Sequence, residues 1–158
     1  MKKLCSFLLV FLVLAAIAPA QDGTLDPTFG SIELESGFWP DPYIIEMLAG
    51  GSIDLELTTD KTLRAINPYG FVADAPDLDL YFEATGGLPL IIRVEGFGED
   101  TVLLINDPEG NWHFNDDYND YDPKITFMRP VSGLYSIWVG TFWDGDYLDV
   151  DLVITELD

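Results

Sequence analysis

The chain has 158 residues, of which 28 are Asp or Glu and 7 are Lys or Arg, for a formal net charge of −21. With 48% apolar and 13% aromatic residues it can bury a core, which excludes a disordered acidic tail. Its negative field repels phosphate backbones and anionic lipid, so no nucleic acid and no membrane surface is expected as a partner.

Residues 1–20 read as an export signal that is cleaved. Lys2 and Lys3 supply the positive start, Leu4 to Ile17 a short apolar run, and Ala18-Pro19-Ala20 the small-x-small pattern that signal peptidase accepts. The run is shorter than the ~20 apolar residues a membrane span needs. Cys5 lies at its start, whereas a lipidated cysteine would have to lie at its end. Removing twenty residues and two lysines leaves 138 residues with five basic and 28 acidic side chains, a net charge of −23, and no cysteine. The expectation is a secreted or periplasmic monomer held by its core or by ions, in which divalent cations would relieve carboxylate repulsion.

Residues 21–30 form a polar segment, and residues 31–158 read as a single domain. Within it Ile32 and Leu34, then Ile53, Leu55 and Leu57, then Leu78, Leu80 and Phe82 alternate with polar residues, the period of a half-buried strand. Tyr43 to Leu48, Leu90 to Val94 and Val102 to Ile105 are more continuously apolar, as strands covered on both faces are. Ile125 to Met128, Leu134 to Val139 and Leu148 to Ile154 complete the set. Asp26-Pro27, Asp41-Pro42, Asp107-Pro108 and Asp122-Pro123 each predict the start of a turn or strand. About eight to ten short strands at this spacing predict an all-β fold, an antiparallel β-sandwich, with a small closed barrel as the alternative. Tyr43 to Leu57 and Leu80 to Val94 each read as strand, Gly-Gly turn and strand, a pair of similar hairpins.

Three kinds of chemistry are open to these residues. The segment Asn115 to Asp122 holds six Asn or Asp in eight positions: Asn115, Asp116, Asp117, Asn119, Asp120 and Asp122. Calcium takes six to eight oxygen ligands, so Ca²⁺ is the expected ion, with Asp107 and Glu109 in the preceding turn and Asp144 and Asp146 in the last as further candidates. An EF-hand begun at Asn115 fails, because Asp120 falls where glycine is needed and Thr126 where the bidentate glutamate belongs. Trp39, Trp112, Trp138 and Trp143 are candidates for stacking on sugar rings, which would make a polysaccharide the partner. Trp138 alternates out of phase with Ile137 and Val139 and so faces away from the core. Enzyme signatures are missing from the sequence: His113 is the one histidine, no serine sits in Gly-x-Ser-x-Gly, and the mature chain has no thiol. One histidine without cysteine also speaks against zinc. The expectation is a binding module with no catalytic residues and an unidentified extracellular or periplasmic partner, protein or polysaccharide.

From Asp77 onward the order of features resembles the bacterial pre-peptidase C-terminal domain family. The matching segments are Asp77 to Phe82, Leu90 to Val94, Asp100 to Ile105 leading into Asp107-Pro108-Glu109-Gly110, and Ser132 to Val139. A narrower group of small exported bacterial proteins is also similar, through Gly37 to Pro42, Ala49-Gly50-Gly51, Ala75-Pro76-Asp77 and Trp112 to Asp117. The resemblance implies a jelly-roll-like sandwich that accompanies extracellular enzymes as an accessory domain and carries no proteolytic residues. Such relatives place two cysteines near the positions of Pro68 and Phe114, which implies that those residues lie close together here.

Overall fold

The computed structural model describes residues 21–157. Eleven strands follow one another: β1 (Ser31–Glu35), β2 (Tyr43–Gly50), β3 (Ile53–Asp54), β4 (Phe71–Val72), β5 (Leu78–Glu83), β6 (Leu90–Glu95), β7 (Thr101–Asn106), β8 (Trp112–Asn115), β9 (Lys124–Phe127), β10 (Gly133–Thr141) and β11 (Tyr147–Thr155). One sheet runs β1-β5-β10-β4-β3, with β7 on the other edge of β10 and β8 beyond it; the second runs β2-β11-β6-β9. The sheets pack face to face as an all-β sandwich, and separate sheets exclude the closed barrel. All pairings are antiparallel except β1 with β5, which run parallel. Among the described residues no helix is long and apolar enough to cross a membrane. The export signal read in residues 1–20 lies outside the described residues.

Alternation builds the core. Leu78, Leu80 and Phe82 of β5, Leu90, Ile92 and Val94 of β6, and Val150, Leu152 and Ile154 of β11 all point between the sheets. The Asp-Pro pairs sit where turn chemistry places them: Asp41-Pro42 precedes β2, Asp122-Pro123 precedes β9, and Asp107-Pro108 opens the β7–β8 turn.

Three expectations change. The alternation over Ile53 to Leu57 does not continue as a strand, because the Asp54 side chain accepts from the Glu56 amide at 2.9 Å and turns Leu55–Leu57 into a 3-10 turn. A four-residue helix, α1 (Lys61–Arg64), follows, capped by Asp60, whose carboxylate accepts from the Thr62 and Leu63 amides. The two Gly-Gly links are not hairpin turns: β2 and β3 lie in different sheets, as do β5 and β6. Gly51 allows the first crossing, since a Cβ there would meet the Val72 carbonyl carbon at 1.9 Å.

The segment from β3 to β4 folds over the outside of the seven-stranded sheet and makes a second, smaller core. Leu55, Leu63 and Val72 cover Val102, Leu104 and Trp138 there. Trp138 thus does face away from the main core, as its phase predicts, yet it is fully buried by this cover.

Candidate functional site

The two ends of the sandwich separate the predicted ligands. Asn106 pairs with Ser136 and Trp112, whereas Thr101 pairs with Thr141, so the β7–β8 turn lies at one end and the 116–123 loop at the other. Asp107 and Glu109 therefore stand about 17 Å, the length of β7, from the acidic loop. The β10–β11 turn with Asp144 and Asp146 shares the end of the acidic loop.

Asp107 is a turn anchor. Its Oδ1 accepts from the amides of Glu109 and Asn111, both at 2.9 Å, and its Oδ2 lies 2.8 Å from His113 Nε2. Burial pushes this carboxyl up, but the bonds from His113, Asn111 and Glu109 outweigh it and hold the group below its ordinary range. The His113 ring bonds Asp107 through Nε2 and packs edge-on to Phe127 at 4.8 Å. This aspartate-histidine pair clamps the hairpin, since its members join neighbouring parts of one turn and strand.

In the acidic loop the same division of labour recurs. Asn115 Oδ1 accepts from the Lys124 amide at 2.8 Å, Asp122 Oδ1 accepts from the Gly96 amide at 2.7 Å, and Asp116 accepts from the Tyr69 hydroxyl. Asn119 and Asp122 exchange backbone hydrogen bonds around Asp120, which takes a left-handed φ of 53°. Asp117, Asn119 and Asp120 are exposed. One further carboxylate, which sequence reasoning missed, approaches from the β6–β7 turn: Asp100 has Oδ1 buried without a hydrogen-bond partner. Burial, then the charges of Asp117 and Asp116, push its pKa up. Tyr69 is pushed up to about 12 by its bond to Asp116, then by burial and by the charges of Asp116, Asp117 and Asp100. Nothing in the local sequence of Asp100 marks it, because only the pairing of β7 with β8 brings its turn beside the loop. Among the described residues no three His, Cys, Asp or Glu side chains converge into a metal-holding group.

The tryptophans do not form a stacking platform. Trp138 is buried and donates from Nε1 to the Asp74 carbonyl at 3.3 Å, which corrects its candidacy. Trp112 packs on Trp138 at 5.4 Å between ring centroids and belongs to the second core. Trp39 and Trp143 are exposed, but one precedes the first residue of β2 while the other lies in the turn before Tyr147, which pairs with the last residue of β2. They stand at opposite ends of a strand of about 24 Å. The Tyr69 ring meets Phe114 at 5.2 Å, so the segment carrying Pro68 does run beside Phe114.

The apolar surface gathers elsewhere. A groove of about 500 Å³ on the outer side of the four-stranded sheet is lined by Phe29, Leu48 and Phe97 together with Glu46, Asp149 and Asp151. Phe97, between Gly96 and Gly98 in the β6–β7 turn, is 70% exposed and has a φ of 56°. A bulky residue in the left-handed region is rare.

The class these observations define is a two-sheet all-β sandwich with polar turns held by their own carboxylates. Compared with known proteins, the sequence matches no protein-family model and no curated protein.

Proposed function

We propose that the mature chain is an exported, non-enzymatic binding module, an accessory domain of the pre-peptidase C-terminal type. The observation that carries this reading is the groove beside Phe97, where exposed apolar side chains and carboxylates share a concave surface. The engagement of Asp107, His113, Asn115, Asp116 and Asp122 in local hydrogen bonds supports it, since those groups serve the fold. The test is a set of chromogenic peptidase, esterase and glycosidase substrates offered to the purified mature chain and to Asp107→Asn and His113→Ala. No turnover is expected; turnover that either substitution abolishes would overturn the reading.

A second reading concerns Ca²⁺ and rests on one observation, the buried unpartnered Oδ1 of Asp100 facing the charges of Asp116 and Asp117. A cation there would satisfy that oxygen and offset the repulsion. Thermal unfolding in EDTA, in millimolar CaCl₂ and in MgCl₂ at equal ionic strength tests it. A rise in Tm specific to Ca²⁺ and lost in Asp100→Asn is expected, and equal effects of both ions would dismiss it.

A further inference from the structure

We propose that the outer face of the four-stranded sheet docks a cationic, apolar-bearing segment of a partner polypeptide, with Phe97 as its aromatic anchor. The proposal rests on the binding-module reading and names the chemistry of the partner.

Strand register arranges this face in rows. Glu46 of β2 lies opposite Asp151 of β11, which lies opposite Glu95 of β6, so three carboxylates stand side by side across three strands. Like charges in directly opposed positions destabilise a sheet. Arg93 reaches Glu95, but among the described residues no basic side chain forms an ion pair with Glu46, Asp149 or Asp151. On one side of the row stand Leu48, which is 45% exposed and opposite Asp149, and Phe97, two residues beyond Glu95. On the other side the row runs from Ile44 through Val153 to Arg93 and Lys124, apolar at the β2 edge and basic towards β9. The unpaired carboxylates Glu46, Asp149 and Asp151 thus lie beside Leu48 and Phe97, away from the Arg93 that already pairs with Glu95, and together they are the complement of a segment in which lysine or arginine alternates with apolar residues.

Two features argue that the face is built for contact. Phe97 sits in a backbone region that bulky residues avoid while its ring stands in solvent, so neither the local backbone nor the core accounts for a phenylalanine there. The net charge of −21 over the whole chain steers cationic partners towards the molecule, and the local row would orient them. Aromatic side chains, phenylalanine among them, are enriched at protein interfaces relative to the rest of the surface.

The test uses fluorescence anisotropy with the mature protein and a labelled synthetic peptide in which lysine alternates with leucine and phenylalanine, at near-physiological ionic strength. Two control peptides carry glutamate for lysine or serine for the apolar residues. The lysine peptide should bind, and each control should bind at least about tenfold more weakly. Phe97→Asn should lose about tenfold in affinity without lowering Tm, since asparagine tolerates the left-handed region; a merely structural role would lower Tm instead. The triple variant Glu46→Gln, Asp149→Asn, Asp151→Asn should lose about tenfold, and the triple Glu33→Gln, Glu83→Gln, Glu109→Gln, equal in net charge but away from this face, less than about threefold. Equal losses in the two triples would overturn the proposal by reducing it to the general field. Absence of peptide binding would overturn it as well. Retention on a neutral polysaccharide that Phe97→Asn abolishes, without peptide binding, would overturn the partner class and leave the binding-module reading standing.

Discussion

Replacing Asp77 with asparagine removes a titratable proton from the point where β10 changes partners. Along one edge of β10, Ile137 pairs with Leu78 of β5 and Thr141 pairs with Phe71 of β4. Between them the Val139 amide donates to Asp77 Oδ2 at 2.7 Å, so a side chain takes the place of the missing strand acceptor. Asp77 is 3% exposed, and burial pushes its pKa from 3.8 up to about 7, a rise that the Val139 bond offsets only in part. With the folded value above the unfolded one, the stability linked to this group is fully present below about pH 4 and is lost as pH rises through about 7. From about pH 5 to about pH 8 the folded chain holds close to one extra proton over two units, at ~1.4 kcal/mol each, a loss of roughly 3 kcal/mol. Asparagine keeps an oxygen for the Val139 amide and does not ionise. Urea unfolding of both proteins at the two pH values should therefore show the difference in unfolding free energy moving by roughly 3 kcal/mol in favour of the variant at the higher pH. Taking the difference removes the titration of the other carboxylates, provided they do not couple to Asp77. A difference that is the same at both pH values would refute the reasoning, since it would mean that Asp77 is ionised throughout.

Trp138→Ala empties the second core and should cost about 3–5 kcal/mol in urea unfolding, with Trp138→Phe losing less; a neutral alanine variant would show that the β3–β4 cover collapses freely. Asp107→Ala leaves the Glu109 and Asn111 amides without their acceptor and should lower stability by about 2–3 kcal/mol. Because the Asp107 pKa is lowered, its contribution is present at neutral pH and vanishes as pH falls through the folded value, so wild type and variant should converge in acid. Ultraviolet titration of the tyrosines should show Tyr69 and the buried Tyr135 ionising above the ordinary value, and the step near pH 12 should be missing from Tyr69→Phe. If all tyrosines instead ionise together near the ordinary value, the Tyr69–Asp116 bond does not persist in solution.

Much of the fold was legible because the strand period is local. Leu78, Leu80 and Phe82, or Leu90, Ile92 and Val94, announce their strands by spacing alone, and the continuous apolar stretch of β7 announces cover on both faces. The same stretch gave no hint of what the second cover would be: Val102 and Leu104 face Leu55, Leu63 and Val72, which come from much earlier in the chain. Trp138 shows the limit most plainly. Its phase is read correctly, but phase states which face a side chain occupies and leaves open whether another segment lies over that face. The acidic loop shows the same limit. Spacing marks six oxygen-bearing side chains in eight positions, but not that Asn115, Asp116 and Asp122 accept from the Lys124 amide, the Tyr69 hydroxyl and the Gly96 amide, nor that Asp100 comes beside Asp116 and Asp117 from another turn.

By itself the sequence determined the all-β class, most strand positions, the turn-forming aspartates and the sign of the field. These are properties of neighbours along the chain, where backbone sterics and alternation act over a few residues. Tertiary structure alone decided that the Gly-Gly links cross between sheets, that Asp107 and the acidic loop lie at opposite ends, and that Glu46, Asp151 and Glu95 form one row beside Phe97. Those outcomes depend on which strand pairs with which and in what register, a choice made by burying the whole apolar surface at once, to which no single segment holds the answer.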